Sequence, residues 1–319
     1  MVFDGHSDLL YDVTRRRMLG ENRVLERCHR AQLLQGGVEG LVLSLWTSGT
    51  PETFWKETDC RTAAQRTARM MACAQAELAE CQDWLVVVRT AREAERARAA
   101  GRQYAFLGIE GMEAIGADLS GIDRYAGWGA RLGMLTWNEE NFLATGVWGD
   151  SLRGLTALGK RAVHRMRQRG MVVDVSHLND RSFQDVALGA DGVVIASHSN
   201  CRRLCSVPRN LTDDQLRFIR DTGGVVGLNV HHAFVHEEAQ KQTAEMLARH
   251  AAHMADVMGV EHVACGFDFC QYMGPGNEGA EGMENASQIK NLFYWLERMG
   301  MHSQELQMIA RDNFLRVLA

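Results

Sequence analysis

The sequence predicts an α/β protein folded as one (β/α)8 barrel, a TIM barrel, occupying residues 1–319 as a single domain. Three observations carry this. Apolar, β-prone runs recur along the chain with helical stretches between them, the order of repeated βα units. Several runs are continuously apolar rather than alternating, which suits parallel strands covered on both faces. No G-x-G-x-x-G follows the first run, which disfavours an open dinucleotide-binding sheet. A chain of 319 residues also lies near the upper range for one such barrel.

In order, the strands are expected at Met1–Asp4, Val38–Trp46, Trp84–Arg89, Tyr104–Ile109, Leu132–Thr136, Met171–Val175, Val193–Ala196, Val225–Asn229 and Val263–Phe267. These are nine, one more than a barrel of eight needs. The surplus is an outer strand, a miscalled segment or an extension of the sheet. Ala, Arg, Met and Glu fill Thr62–Gln82, a helix by propensity. A second helix, Ala91–Ala100, stops at Gly101, a residue suited to end it. Thr212 is placed to cap the helix that DDQLRFIR suggests. Two long loops, Trp137–Arg153 and Gln271–Gln288, are expected to shape a pocket on one rim.

Composition bounds the function. Hydrophobic residues are 46% and charged residues 24%, enough apolar material for a large core without staples. The formal charge of -5 argues against a nucleic-acid partner, which needs a basic footprint. The one basic run, Arg15–Arg17, reads as a solvated face. The start MVFDGHSDLL lacks the basic and apolar regions of a signal peptide, and no run approaches the ~20 apolar residues of a membrane span. The eight cysteines, none in a CxxC, are therefore expected as reduced thiols in a cytoplasmic protein.

Imidazoles and carboxylates cluster at predicted strand ends: His6 and Asp8 in FDGHSD, Glu110 in FLGIEG, His177 in VVDVSH and His198 in VVIASH. If the strands lie side by side, these groups share one rim, with ligands enough for two metal ions, and such a rim reads as a hydrolase. His6 and Asp8 are two apart, so an extended backbone points both the same way. The alternative is a surface histidine beside a helix-capping aspartate. Glu110 has two oxygens and so can bridge two cations, which would also offset the cost of burying it. His177 and His198 end consecutive strands, and neutral imidazole suits zinc. Asp174, three before His177, either orients a histidine or buttresses the core. Asp268 in GFDF either handles the proton of an attacking water or binds metal itself. Arg209 in VPRNLT is placed to fork a substrate carboxylate, unless it is an ordinary surface arginine.

These motifs together, from DGHSD through GIEG, DVSH, ASHSN, PRNLTDDQL and GFDF to DNFLRVLA, resemble the membrane dipeptidase (renal dipeptidase) family, most closely its soluble bacterial members. The resemblance implies a metal-dependent barrel of the amidohydrolase type with two Zn2+ ions. His6 and Asp8 would hold one, His177 and His198 the other, and Glu110 would bridge them. It implies hydrolysis of dipeptides, including those with a C-terminal D-residue, by a hydroxide between the ions. Asp268 would handle the proton and Arg209 would grip the substrate. Where many members carry a substrate-contacting histidine, this chain has Trp137, which supplies an apolar wall and one donor. Asn138 or Asn141 is the candidate to restore a polar substrate contact. The expected partner is a small dipeptide, with no nucleic acid and no membrane, and a homodimer follows by analogy. Two other readings remain: hydrolysis of N-acyl amino acids or cyclic amides at the same centre, and a binding protein without catalysis.

Overall fold

A computed structural model describes residues 1–319. All nine predicted strands are present: β1 (Val2–Ser7), β2 (Val38–Trp46), β3 (Leu85–Val87), β4 (Gln103–Glu110), β5 (Ala130–Met134), β6 (Val172–Asp174), β7 (Val194–Ile195), β8 (Val226–Leu228) and β9 (Val263–Cys265). Every strand pairing is parallel. The first strand runs further than predicted, so His6 lies within it.

The closed eight-stranded barrel is not what forms. Six strands, in the order β1-β2-β4-β5-β6-β7, curl through about 230° and leave their edges unclosed. β8 and β9 form a separate two-stranded sheet. The surplus strand is β3, which is off the path. It pairs Leu85–Val87 with Gln103–Ala105 of β4, while β5 takes the same strand further on, from Leu107 to Glu110. The reason for the open form lies in the last strands. β7 has two residues and β8 and β9 three each, too short to carry a continuous ladder. β7 meets β8 at one isolated bridge, Ala196 with Val226. Between the β9 segment and β1 the Asp268 N–H reaches the His6 carbonyl at 3.3 Å, and at the residue before it a side chain is the acceptor, since Asp4 Oδ1 takes the N–H of Phe267 at 2.8 Å. Periodicity reports which segments are strands and that they are parallel. It does not report how many residues each contributes to the ladder.

The continuous apolar runs serve two different faces. On β4, Tyr104 and Phe106 point into the curl, where Phe3, Leu132, Met134 and Ile195 meet them. Ala105, Leu107 and Ile109 point outward to the helices. Phe314, on the C-terminal helix Asn313–Val317, plugs the interior with its ring 5.3 Å from that of Phe3. The outer layer includes α1 (Leu9–Met18), α2 (Ala63–Glu80), α3 (Ala91–Ala99) and α4 (Asp213–Asp221). Their starts follow from local chemistry. Thr62 and Thr212 each accept an N–H of the first turn, and Gln65 and Gln215 return the bond to the cap residue. No helix is long and apolar enough to cross a membrane.

Candidate metal centre

The C-terminal ends of β1, β4, β6 and β7 bring the five expected ligands together. His6 Nε2 lies 3.0 Å from Glu110 Oε2 and 3.5 Å from Asp8 Oδ1. The other Glu110 oxygen, Oε1, lies 2.7 Å from His177 Nε2 and 3.9 Å from His198 Nε2. Glu110 thus divides its oxygens between His6 on one side and the two later histidines on the other. Asp268 Oδ1 stands 3.9 Å from His6 Nε2. Two sets of ligand atoms fall within 4.8 Å of one another: His6, Glu110 and His198, and His6, Asp8 and Asp268. His6 belongs to both sets and His177 to neither. The grouping therefore differs from the division expected from sequence, and Asp268 sits among candidate ligands.

Local structure explains the convergence. Asp8 is not extended as predicted. It is the residue before α1, with φ of -94° and ψ of 22°, and its side chain makes no capping bond. The carboxylate that would have capped the helix faces His6 instead. His177 and Asp268 both have left-handed backbone, with φ of 73° and 59°. Such strain in non-glycine residues persists only where the surroundings enforce it, and it re-aims a side chain at the end of a strand. Gly227 and Gly266 let the segment before His198 pack close, because a Cβ on either would meet the Ser197 carbonyl oxygen at 1.9 and 1.6 Å.

Each imidazole is held from behind by a neutral oxygen. His177 Nδ1 donates to Asn138 Oδ1 at 2.7 Å, His198 Nδ1 pairs with Ser197 Oγ at 2.8 Å, and His6 Nδ1 lies 3.5 Å from Ser44 Oγ. For His177 the amide oxygen, which only accepts, fixes the tautomer that leaves Nε2 facing the centre, and the serine hydroxyls hold the other two rings with Nε2 toward it. Two aspartates complete the frame. Asp174 Oδ1 accepts the N–H groups of Ser176 and Ser197, and Asp4 Oδ1 accepts those of His6 and Phe267. In each case one carboxylate ties its own strand end to the residue just before a site side chain, His198 or Asp268, on another strand. Sequence reasoning missed Asp4, Ser44 and Ser197. The recurrence of Asp two or three residues ahead of His6 and His177 was the available signal.

The electrostatics fit cations. Burial pushes His177 and His198 well below the ordinary imidazole value, so both are neutral. Burial also pushes Glu110 well above the usual carboxylate range, with the charge of Asp8 adding to it. His6 is pulled down by burial, but Glu110 and Asp8 outweigh this and leave it raised. Burial raises Asp268 as well. His6 Nε2, Asp8 Oδ1 and Glu110 Oε2 are buried without hydrogen-bond partners. The His177 and His198 Nε2 atoms stand 2.8 Å apart. With protons on their Nδ1 atoms, these two lone pairs repel unless a positive charge lies between them. Two metal ions satisfy all of these atoms, and the imidazole and carboxylate donor set suits zinc.

The remaining predicted residues separate. Arg209 is buried beside the centre, not on the surface. It donates from Nη1 to Ser199 Oγ at 2.8 Å and from Nη2 to the His198 carbonyl at 3.0 Å, and its Nε has no partner. Burial brings it down to about 10. Asp268 Oδ2 accepts from Asn229 Nδ2 at 3.1 Å. Trp137 stands near His177, with ring centroids 6.2 Å apart. Asn138 commits its side-chain oxygen to His177, so its position is that of an orienting group rather than a free contact for substrate.

A curled parallel sheet with two overlapping sets of imidazole and carboxylate ligands at its strand ends defines a binuclear metal-dependent hydrolase. The chain belongs to the membrane dipeptidase family, peptidase family M19, whose family model matches residues 1–319. It is 36% identical over 220 residues to an uncharacterized protein in the pqqA 5′ region of Klebsiella pneumoniae, covering 66% of this chain and 78% of that one. It is 32% identical over 217 residues to an uncharacterized dipeptidase of Schizosaccharomyces pombe, covering 66% of this chain but only 51% of that relative. Among solved structures it resembles a metallopeptidase from Rhodobacter sphaeroides liganded with a phosphinate mimic of the dipeptide L-Ala-D-Ala. The TM-score is 0.87 at 26% identity, over 99% of this chain and 98% of that one.

Proposed function

We propose that this protein is a zinc dipeptidase that cleaves short substrates with a free C-terminus, those with a C-terminal D-residue included. Metal-dependent dipeptide hydrolysis is the activity that family and site share. The observation that carries the reading is the split carboxylate of Glu110, one oxygen toward His6 and the other toward His177 and His198. His6, Asp8, Glu110, His177 and His198 would hold the ions, which when bound would supply a nucleophilic water near neutral pH and a charge for the developing oxyanion. Asp268, anchored by Asn229, takes the proton of the attacking water and returns it to the leaving amine. Arg209 presents its unpartnered Nε and remaining donors to the terminal carboxylate of the substrate. That grip sets the scissile bond one residue before a free C-terminal carboxylate, as in a dipeptide. The phosphinate mimic of L-Ala-D-Ala on the Rhodobacter relative supports a D-residue at the C-terminal position. One catalytic domain, a cytoplasmic location and a homodimer belong to the same reading.

The test is a panel of L,L- and L,D-dipeptides beside N-acyl amino acids, with metal content measured in parallel. Chelation should abolish cleavage and zinc should restore it. Glu110→Gln should lower kcat/KM by at least about 100-fold and reduce bound metal. Faster cleavage of N-acyl amino acids than of any dipeptide would overturn the assignment.

A further inference from the structure

Three tryptophans form a continuous wall from the metal centre to solvent. Trp46 ends β2 directly opposite Glu110 in the strand register. Its ring meets Trp137 edge to face at 5.2 Å, and Trp137 meets Trp148 at 4.9 Å. Trp137 also lies beside His177, with ring centroids 6.2 Å apart. The outermost ring, Trp148, is 68% exposed, yet its backbone is fixed, donating its N–H to the Asn138 carbonyl at 2.8 Å. A rigidly mounted indole left in water beside a catalytic rim forgoes a large burial gain, unless a ligand covers it during function. A second observation points the same way. Trp46 Nε1 is buried without an acceptor, although buried indole N–H groups normally find one.

Resting on the dipeptidase reading, we propose that this wall is the subsite for the side chain of the N-terminal residue, and that it selects large apolar and aromatic side chains. The two ends of the site assign the direction. Arg209 is bonded to Ser199 and the His198 carbonyl, beyond β7. A terminal carboxylate held there places the C-terminal residue on the β7 side. The scissile bond then lies over Glu110 and the histidines, and the N-terminal side chain reaches back toward β2 and Trp137. Trp137 is thus a specificity residue: its ring can neither ligate metal nor carry a proton, but it joins the buried Trp46 to the exposed Trp148.

The test is kcat/KM for an Xaa-Gly series, with Xaa Phe, Leu, Ala or Gly, against Gly-Phe, using the zinc-loaded full chain and its Trp148→Ala and Trp148→Phe variants. Phe-Gly should exceed Gly-Gly by on the order of 10-fold or more. Trp148→Ala should shrink that ratio several-fold and Trp148→Phe should keep most of it. A ratio unchanged in Trp148→Ala, or a preference for Gly-Phe over Phe-Gly, overturns the proposal. Equilibrium titration of tryptophan fluorescence with the same dipeptides separates the two readings. If no dipeptide is cleaved, the hydrolytic reading falls and the titration alone decides the wall. Saturable quenching by Phe-Gly that is weaker with Gly-Gly and lost in Trp148→Ala upholds it, and any other pattern removes it.

Discussion

A single hydrogen bond behind each imidazole decides whether a histidine in this site is a ligand or a buried liability. His177 shows the logic most clearly. Burial makes it neutral, and Asn138 Oδ1, which only accepts, places its one proton on Nδ1. Nε2 is then left to face Glu110 at 2.7 Å. Asn138→Ala should therefore weaken zinc binding by roughly 10- to 100-fold, with the fold retained. Competition against a chromophoric chelator measures this, and Asn138→Asp, which keeps an acceptor, should recover part of the loss. Unchanged affinity in Asn138→Ala would mean that the ring is oriented by packing alone. From the sequence Asn138 was legible as a polar neighbour of the site, but its partner was not. A hydrogen bond between residues 39 apart depends on how the Trp137–Arg153 loop returns over β6, which no local pattern encodes.

Elements carry their own electrostatics, and α1 corrects the sequence reading. Arg15–Arg17, expected as a solvated face, are ion-paired. Arg15 and Arg16 hold Asp12, and Arg17 reaches Glu77 and Glu80 on α2. Burial alone would raise the Asp12 carboxyl, but bonds from His29, Arg15 and Arg16 outweigh it and lower Asp12 from 3.8 to about 2. The folded state thus holds the carboxylate better than the unfolded chain does. Its stabilisation, about 2 kcal/mol, is fully present above the unfolded value and is lost as pH falls from 3.8 through about 2. Urea unfolding of the wild type should become less favourable to the folded state across that window, more steeply than in Asp12→Asn. Parallel curves for the two proteins would show that the cluster contributes nothing to acid sensitivity. At this scale the sequence was legible. Thr62 and Thr212 cap their helices, and all nine strands stand where apolar runs predicted them.

The whole molecule concentrates three carboxylates, Asp8, Glu110 and Asp268, around one buried imidazole, His6. Folding this rim without added positive charge is costly. Zinc at about 100 times its dissociation constant should raise unfolding free energy by about 2.7 kcal/mol. Denaturant midpoints with and without chelator measure it, and equal midpoints would deny a site that exists only in the folded chain. Residue types and local periodicity alone determined the parallel βα order, the helix caps and the identity of the groups on the rim, because these follow from side-chain chemistry and spacing of a few residues. Only the tertiary structure decided that the sheet stays open, that β3 shares an edge of β4 with β5, that Glu110 splits its oxygens, and that three tryptophans line up beside it. Those outcomes depend on register, on ladder length and on contacts between segments distant in the chain, and each is fixed by which surfaces pack rather than by any segment's own preference.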